Sequence, residues 1–253
     1  MYDQLEAKLH DLFWASEGPS AELDLIEAFL KQYPGTALEL GCGSGRLLAP
    51  LLKKGYLIEG LDNSNDMLQL CREKTKAFEP YLHQASMENF ATGSLYNAIT
   101  IPAFSLQLVS YEQLSKTLTN IQQHLHPGGG FYCTIFIPWA EITGDLEEDA
   151  WFIDQEIAMP DGEKAQCHTR FQIKRMSQLL IREHRYEILD ANHKVLESSL
   201  STQQLTWFWQ REIVLLLEQS GFSVERIIGD FSTDGLCDDN SQILTIIGRK
   251  QTE

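Results

Sequence analysis

The stretch Leu38-Glu39-Leu40-Gly41-Cys42-Gly43-Ser44-Gly45-Arg46 decides the fold. Before it, Thr36 to Leu40 is a short apolar run of the kind that makes a buried strand. After it, Ser44 to Lys54 sets Leu47, Leu48, Leu51 and Leu52 on one side of a helix, with Gly55 as the stop. Alternating glycines between a strand and a helix let the backbone turn sharply and approach a ligand, while a helix start offers free N–H groups and a positive dipole. The dinucleotide fingerprint Gly-x-Gly-x-x-Gly needs a small sixth residue for close helix–strand packing. Arg46 stands there, which counts against a nicotinamide or flavin dinucleotide.

Working outward, residues 2–15 and 20–33 read as helices, the second stopped by Pro34-Gly35. Tyr56 to Asp62 is a second strand, followed by a helix near 64–78 that Pro80 ends. Tyr81 to Ala85 and Ala98 to Ile101 are further short strands. A helix over 111–125 ends at Pro127-Gly128-Gly129-Gly130, before the strongly apolar strand Phe131 to Ile137. Alternation of this kind predicts a parallel sheet covered by helices on both faces. From Pro138 to about Thr202 the alternation stops. Thr169 to Lys174, Gln178 to Glu187 and His193 to Ser199 read as antiparallel strands, with turn chemistry at Asp190-Ala191-Asn192-His193. A helix near 209–219 and strands Phe222 to Ile228 and Gln242 to Ile247 complete the pattern.

The 253 residues suit one large domain, or one domain with an insertion. Acidic residues outnumber basic ones 36 to 20, a formal charge of −16, so a polyanion is repelled and neither nucleic acid nor an anionic membrane is an expected partner. Five cysteines, an odd number without a CxxC pair or a repeated His/Cys metal frame, read as free thiols in a reducing cytoplasm and predict no metal. Met1 to Glu6 has no signal-peptide character, and no apolar window reaches membrane-spanning length. Between Glu141 and Glu163 lie nine acidic residues and no basic one, which fits either an anionic mouth for an amine substrate or a solvated loop.

Asp62 ends the second strand about twenty residues beyond the glycine turn, where a carboxylate can accept from vicinal ribose hydroxyls. Asp62 and Ser64 are also candidate helix N-caps. Leu38 to Arg46, Asp62-x-Ser64-x-x-Met67-Leu68 and Leu125-His126-Pro127-Gly128-Gly129-Gly130 together resemble the class I S-adenosylmethionine-dependent methyltransferases over residues 36–137. In the second half, Arg175-x-x-Gln178, Tyr186-Glu187, Leu205-Thr206-Trp207-Phe208-Trp209 and Gly229-Asp230-Phe231 are similar to the small-molecule branch holding the deoxyaminosugar N,N-dimethyltransferases.

The resemblance implies an α/β, Rossmann-like fold: a mostly parallel seven-stranded sheet flanked by helices, with an antiparallel cap. Residues 1–139 and 205–253 would form the core, and 140–204 the cap. S-adenosylmethionine would be held by Glu39 and the turn Gly41, Cys42, Gly43 and Gly45 at its methionine part, and by Asp62 at its ribose. Asn63, Met67, Met87 and Ile101 would lie beside it. Ser86 stands where the family often has an Asp touching adenine, and Leu108 where His often stands. Phe13, Trp14, Phe104, Gln107, Trp139, Tyr186, Trp207 and Trp209 are candidates to wall an acceptor pocket, each with ordinary core packing as the alternative. His10, His168 and His184 are the candidate proton acceptors. The implied activity is methyl transfer to nitrogen or oxygen of a small molecule by in-line displacement, nitrogen ahead of oxygen. The branch is often dimeric, so a homodimer is an expectation. Rival readings are a dinucleotide-dependent oxidoreductase and a non-catalytic protein that keeps the fold.

Overall fold

The computed structural model describes residues 4–16, 21–159, 162–232, 235 and 237–252. Of His10 and Trp14 only the backbone is described, so both side-chain expectations lie outside the described residues. In chain order the elements are α1 (Gln4–Ser16), α2 (Ala21–Gln32), β1 (Thr36–Leu40), α3 (Leu48–Lys53), β2 (Leu57–Asp62), α4 (Asn65–Thr75), β3 (Leu82–Gln84), β4 (Tyr96–Ile101), α5 (Tyr111–His124), β5 (Leu125–Phe136), α6 (Trp139–Thr143), β6 (Phe152–Ala158), β7 (Lys164–Lys174), β8 (Leu179–Leu189), β9 (Val195–Thr206), α7 (Gln210–Gln219), β10 (Phe222–Gly229) and β11 (Ile243–Lys250). The chain divides into two compact units, one of residues 1–20 with 138–205, the other of 21–137 with 206–253. Among the described residues no helix is long and apolar enough to cross a membrane.

The larger unit holds a seven-stranded sheet in the order β10-β11-β5-β4-β1-β2-β3. All neighbours run parallel except β11, which is antiparallel to both β5 and β10. Strand β5 is buried without interruption from Phe131 to Phe136, as a strand covered on both faces must be. Helix α5 shows why the faces close: Leu114, Thr117, Leu118 and Ile121 fall on one stripe and are buried. From β1 the order proceeds one way through β2 to β3, and the other way through β4 to β5. The carboxyl ends of β1 and β4 therefore flank the crevice where open α/β sheets take ligands.

Two of the boundaries that differ from the sequence expectation bear on the glycine-rich turns. Strand β5 already begins at Leu125, and the glycine-rich turn survives inside it: Tyr96 pairs with Leu125 but Ala98 with Gly130, so His126 to Gly129 bulge out of register. Helix α3 starts only at Leu48, and residues 41–47 are turn, so the free N–H groups of this region belong to the turn.

The smaller unit is a four-stranded antiparallel sheet, β6-β7-β8-β9. Along β7 every second residue is buried, from Ala165 through Cys167, Thr169 and Phe171 to Ile173. Helix α1 lies on this sheet, with Leu5, Leu9 and Phe13 packed among Ala165, Cys167 and Ile188. Residues 4–16 thus share a core with the antiparallel strands, whereas the sequence grouped them with the glycine turn. Strand β6 was not legible in the acidic stretch.

Tyr33, just past α2, is buried and its hydroxyl donates to Glu225 Oε2 of β10 at 2.5 Å. Arg249 of β11 completes the triad, 2.9 Å from Glu225. Tyr33→Phe keeps the ring and removes that bond, so urea unfolding should show a loss of about 1.5–3 kcal/mol, in line with a single bond to a charged group.

Candidate functional site

The glycine turn is tied to the neighbouring strand before any ligand is considered. Gly41 and Cys42 donate their N–H groups to Leu61 C=O, at 2.7 and 3.0 Å. Gly43 N–H donates to Asp62 Oδ2 at 2.9 Å, and Ser64 N–H to Asp62 Oδ1 at 2.8 Å. Ser64 is the N-cap of α4, accepting from Met67 N–H at 3.3 Å, so the capping role falls to Ser64 and leaves Asp62 facing the turn.

At Gly41, φ is +72°, and a Cβ would stand 2.9 Å from Ser105 Cβ and 3.0 Å from Met87 Cε. Glycine is required there on both counts. Gly43 is also left-handed, with φ +52°, but a Cβ would meet nothing within 4 Å. The face of the turn at Gly43 is open while its back is packed.

Glu39, 2% exposed at the end of β1, has a carboxylate oxygen, Oε2, with no hydrogen-bond partner among the described residues. Burial holds its carboxyl well above the usual range, with Arg46 opposing the shift. A buried acceptor without a donor is costly, and an incoming ammonium is a donor of the right charge. The unpartnered Glu39 oxygen, the open face at Gly43 and the carboxylate of Asp62 fit the amino-acid and ribose parts of S-adenosylmethionine.

The loop after β4 packs behind the turn, with Ser105 beside Gly41. Ala103 and Phe104 have φ +51° and +62°, conformations that cost non-glycine residues of order 1–3 kcal/mol each unless their surroundings hold them. Glu22 of α2 does so. It accepts from Ala103 N–H at 3.1 Å and from the Thr134 hydroxyl at 2.8 Å, and Thr134 Oγ1 accepts from Phe104 N–H at 3.3 Å. Burial raises the Glu22 carboxyl above its ordinary range, against the bonds from Thr134 and Ala103 and the charge of Arg46. Sequence reasoning missed Glu22, because an acidic residue early in a helix looks like dipole compensation.

The remaining expected cofactor residues fall in three places. Met87 meets Gly41, and Asn120 fixes that loop by donating to Met87 C=O and Phe90 C=O; Ser86 precedes it, half-buried. Met67 and Ile101 are wholly buried, whereas Asn63 is exposed beside Asp62. The Cys42 thiol turns to the back of the turn and bonds with Cys71 of α4, and a Cβ on Gly45 would lie 2.8 Å from the Cys71 sulfur.

Of the acceptor-side residues, Phe104 packs edge-on against Phe136, at 5.2 Å, and Trp207 against Trp209, also at 5.2 Å. Gln107 is fully buried and its amide is committed to backbone. It donates to Phe136 C=O and Thr206 C=O and accepts from Phe136 N–H, at 3.0, 3.3 and 2.8 Å. In the smaller unit Tyr186 stacks near Phe13 and donates to Glu6 at 3.2 Å, while Trp139 opens α6, half-buried. His168 lies 3.4 Å from the Glu187 carboxylate. His184 is bonded to the Thr169 hydroxyl at 2.9 Å, and burial pushes its pKa down to about 4.

Part of the acidic stretch is paired within its own unit. Glu141 pairs with Arg182 at 2.7 Å, Glu148 with Arg175 at 3.0 Å, and Glu156 with Lys164 at 2.9 Å. Asp149 and Asp154 accept from Gln172 and Thr169. These pairs favour the structural reading of the stretch over a steering field.

A carboxyl whose folded pKa is raised binds its proton more tightly in the native state, so stability falls as pH rises above the unfolded value near 4.5. Glu39→Gln removes that loss. Thermal denaturation without ligand should show the variant more stable than wild type at pH 8, the difference shrinking toward pH 4.

Comparison with known proteins agrees with this geometry. Residues 37–129 match the family described as Methyltransferase domain. The protein YqeM of Bacillus subtilis (strain 168) is 27% identical over 217 residues, 82% of this chain and 81% of that protein. The dTDP-3-amino-3,6-dideoxy-alpha-D-glucopyranose N,N-dimethyltransferase of Streptomyces fradiae is 28% identical over 139 residues, 53% of this chain and 52% of that one. Among solved structures, S-adenosylmethionine-bound CalS10, an amino pentose methyltransferase from Micromonospora echinaspora, superposes with a TM-score of 0.73 at 18% identity, over 99% of this chain and 98% of that one. Residues 37–129 thus carry a methyltransferase domain, and with its glycine turn, Asp62 and seven-stranded sheet the chain is similar to the S-adenosylmethionine-dependent methyltransferases.

Proposed function

We propose that this methyltransferase acts on an amine nitrogen of a small polar molecule of the amino-sugar class. The observation that carries the cofactor half is the cradle itself: a buried Glu39 oxygen without a donor, beside the open face of Gly43 and the Asp62 carboxylate. The acceptor half is supported by the likeness along the whole chain to an amino pentose methyltransferase and by the match to an aminosugar dimethyltransferase. The five free thiols suit a reducing compartment, which favours the cytoplasm.

When bound, S-adenosylmethionine supplies a methyl group already activated by its sulfonium charge. The chain's own residues then have to bind, orient and exclude water. Glu39 holds an ammonium, Asp62 orients hydroxyls, and the strained Ala103–Phe104 loop, fixed by Glu22, sets the wall on the methyl side. Of the candidate imidazoles with described side chains, His168 is committed to Glu187 and His184 to Thr169, which supports an acceptor nitrogen that arrives with its lone pair free. The pH–rate profile should therefore follow the acceptor's own amine pKa. Two acceptors of different basicity should give profiles displaced by the same amount; profiles sharing one inflection near pH 6–7 would instead assign the step to an enzyme imidazole.

Calorimetry with S-adenosylhomocysteine tests the cradle. Asp62→Ala should weaken binding tenfold or more. Gly43→Ala should keep stability to within about 1–2 kcal/mol, the cost of a left-handed alanine, yet lose affinity because its methyl enters the open face. Gly41→Ala should lose both. Turnover measured on amino-sugar nucleotides against their hydroxyl analogues decides the acceptor; transfer to the hydroxyl series alone overturns the nitrogen reading.

A further inference from the structure

Three adjacent strands of the smaller unit converge on one point of the sheet. Cys167 and Thr169 are two apart on β7 and share its buried face, and Thr169 pairs directly with His184 on β8. On β6 the register with β7 shifts: Ile153 pairs with His168 and Gln155 with Cys167, so Asp154 is the extra residue of a bulge. Bulges re-aim a side chain out of the strand's alternation, and here the carboxylate reaches Thr169 Oγ1, at 3.0 Å.

The four donor atoms stand close together. Thr169 Oγ1 is 2.9 Å from His184 Nδ1 and 3.9 Å from Cys167 Sγ, and Cys167 Sγ is 3.9 Å from His184 Nδ1. The Asp154 oxygen lies within 4.8 Å of both the sulfur and the imidazole nitrogen. On a tetrahedral zinc with bonds of about 2.0–2.3 Å, ligand atoms are about 3.3–3.6 Å apart, so the sulfur and the imidazole need only a small adjustment and the exposed Asp154 side chain supplies the larger one. Cys167, Thr169 and His184 are 3%, 2% and 8% exposed, while Asp154 is open to solvent and gives an ion its way in. Gln203 hydrogen-bonds the same imidazole, the outer support that orients a histidine ligand.

We propose that Asp154, Cys167 and His184 form a zinc-class metal site that braces β6 against β7 and β8, with the Thr169 hydroxyl as their hydrogen-bonded neighbour. A carboxylate, a thiolate and an imidazole are donors that zinc accepts, and the Thr169 hydroxyl, bonded to Asp154 and His184, holds two of them in place. On binding, the Cys167 thiol releases its proton to solvent as the sulfur takes the metal. The His184 ring carries its proton on Nε2, and the Thr169 hydroxyl keeps its own.

The test uses the full chain, stripped with a chelator and titrated with cobalt(II). One equivalent should give the visible bands of tetrahedral cobalt and a near-ultraviolet thiolate-to-cobalt band. Cys167→Ser should abolish the thiolate band, Cys237→Ser should keep it, and Asp154→Ala or His184→Ala should weaken affinity tenfold or more. Because Asp154 is exposed, Asp154→Ala should stay folded by circular dichroism, and zinc should raise the melting temperature of wild type more than that of this variant. Absence of the thiolate band at one equivalent, its survival in Cys167→Ser, or equal zinc stabilisation of Asp154→Ala would each overturn the site.

Discussion

The Asp62 carboxylate is the constraint on which the cofactor end of the molecule rests. One oxygen takes the N–H of Gly43 from the turn after β1, and the other takes the N–H of Ser64 at the start of α4. A single side chain at the end of β2 thus sets the relation of the glycine turn to the next helix. The turn is further held by the two bonds to Leu61 and by Met87 and Ser105 packed behind Gly41. Preorganisation of this kind lowers the ordering cost when a ligand arrives, and what stays open is the face at Gly43 and the unsatisfied oxygen of Glu39.

A second carboxylate does comparable work on the other side of β1. Glu22 reaches from α2 to hold Ala103 and Thr134, and Arg46 opposes the burial of both Glu22 and Glu39. Arg46 breaks the dinucleotide fingerprint, and here its place has a use: it is the cation nearest two carboxyl groups that the sheet removes from water. Local sequence and electrostatics agree at this position.

Residues 36–137 were legible because glycine and proline punctuate them and because apolar runs switch cleanly between strand and helix periods. The seven-stranded sheet and the place of Glu39, Gly43 and Asp62 follow from that stretch. Strand β6 was hidden because it is mostly exposed and a bulge at Asp154 breaks its alternation. It is a strand on account of its partner β7 and the pairs Glu156–Lys164 and Asp154–Thr169. The role of Glu22 and the meeting of Asp154, Cys167 and His184 were not legible at all. Both depend on which strands become neighbours, and spacing along the chain carries no trace of it. The grouping of α1 with the antiparallel sheet has the same cause, since Leu5, Leu9 and Phe13 announce an apolar stripe but not the surface it covers.

Gln107 has a consequence for how this architecture can vary. The chain leaves the larger sheet at Phe136 and returns to it at Thr206, and the one amide bonds the backbone of both. Exit and re-entry are therefore held as a fixed pair of anchor points. The entropy of closing a loop grows only slowly with its length, so what lies between two anchored ends can lengthen, shorten or refold at little cost to the sheet. Residues 138–205 are in this sense an exchangeable graft: the segment can be replaced while the sheet and its glycine turn keep their form.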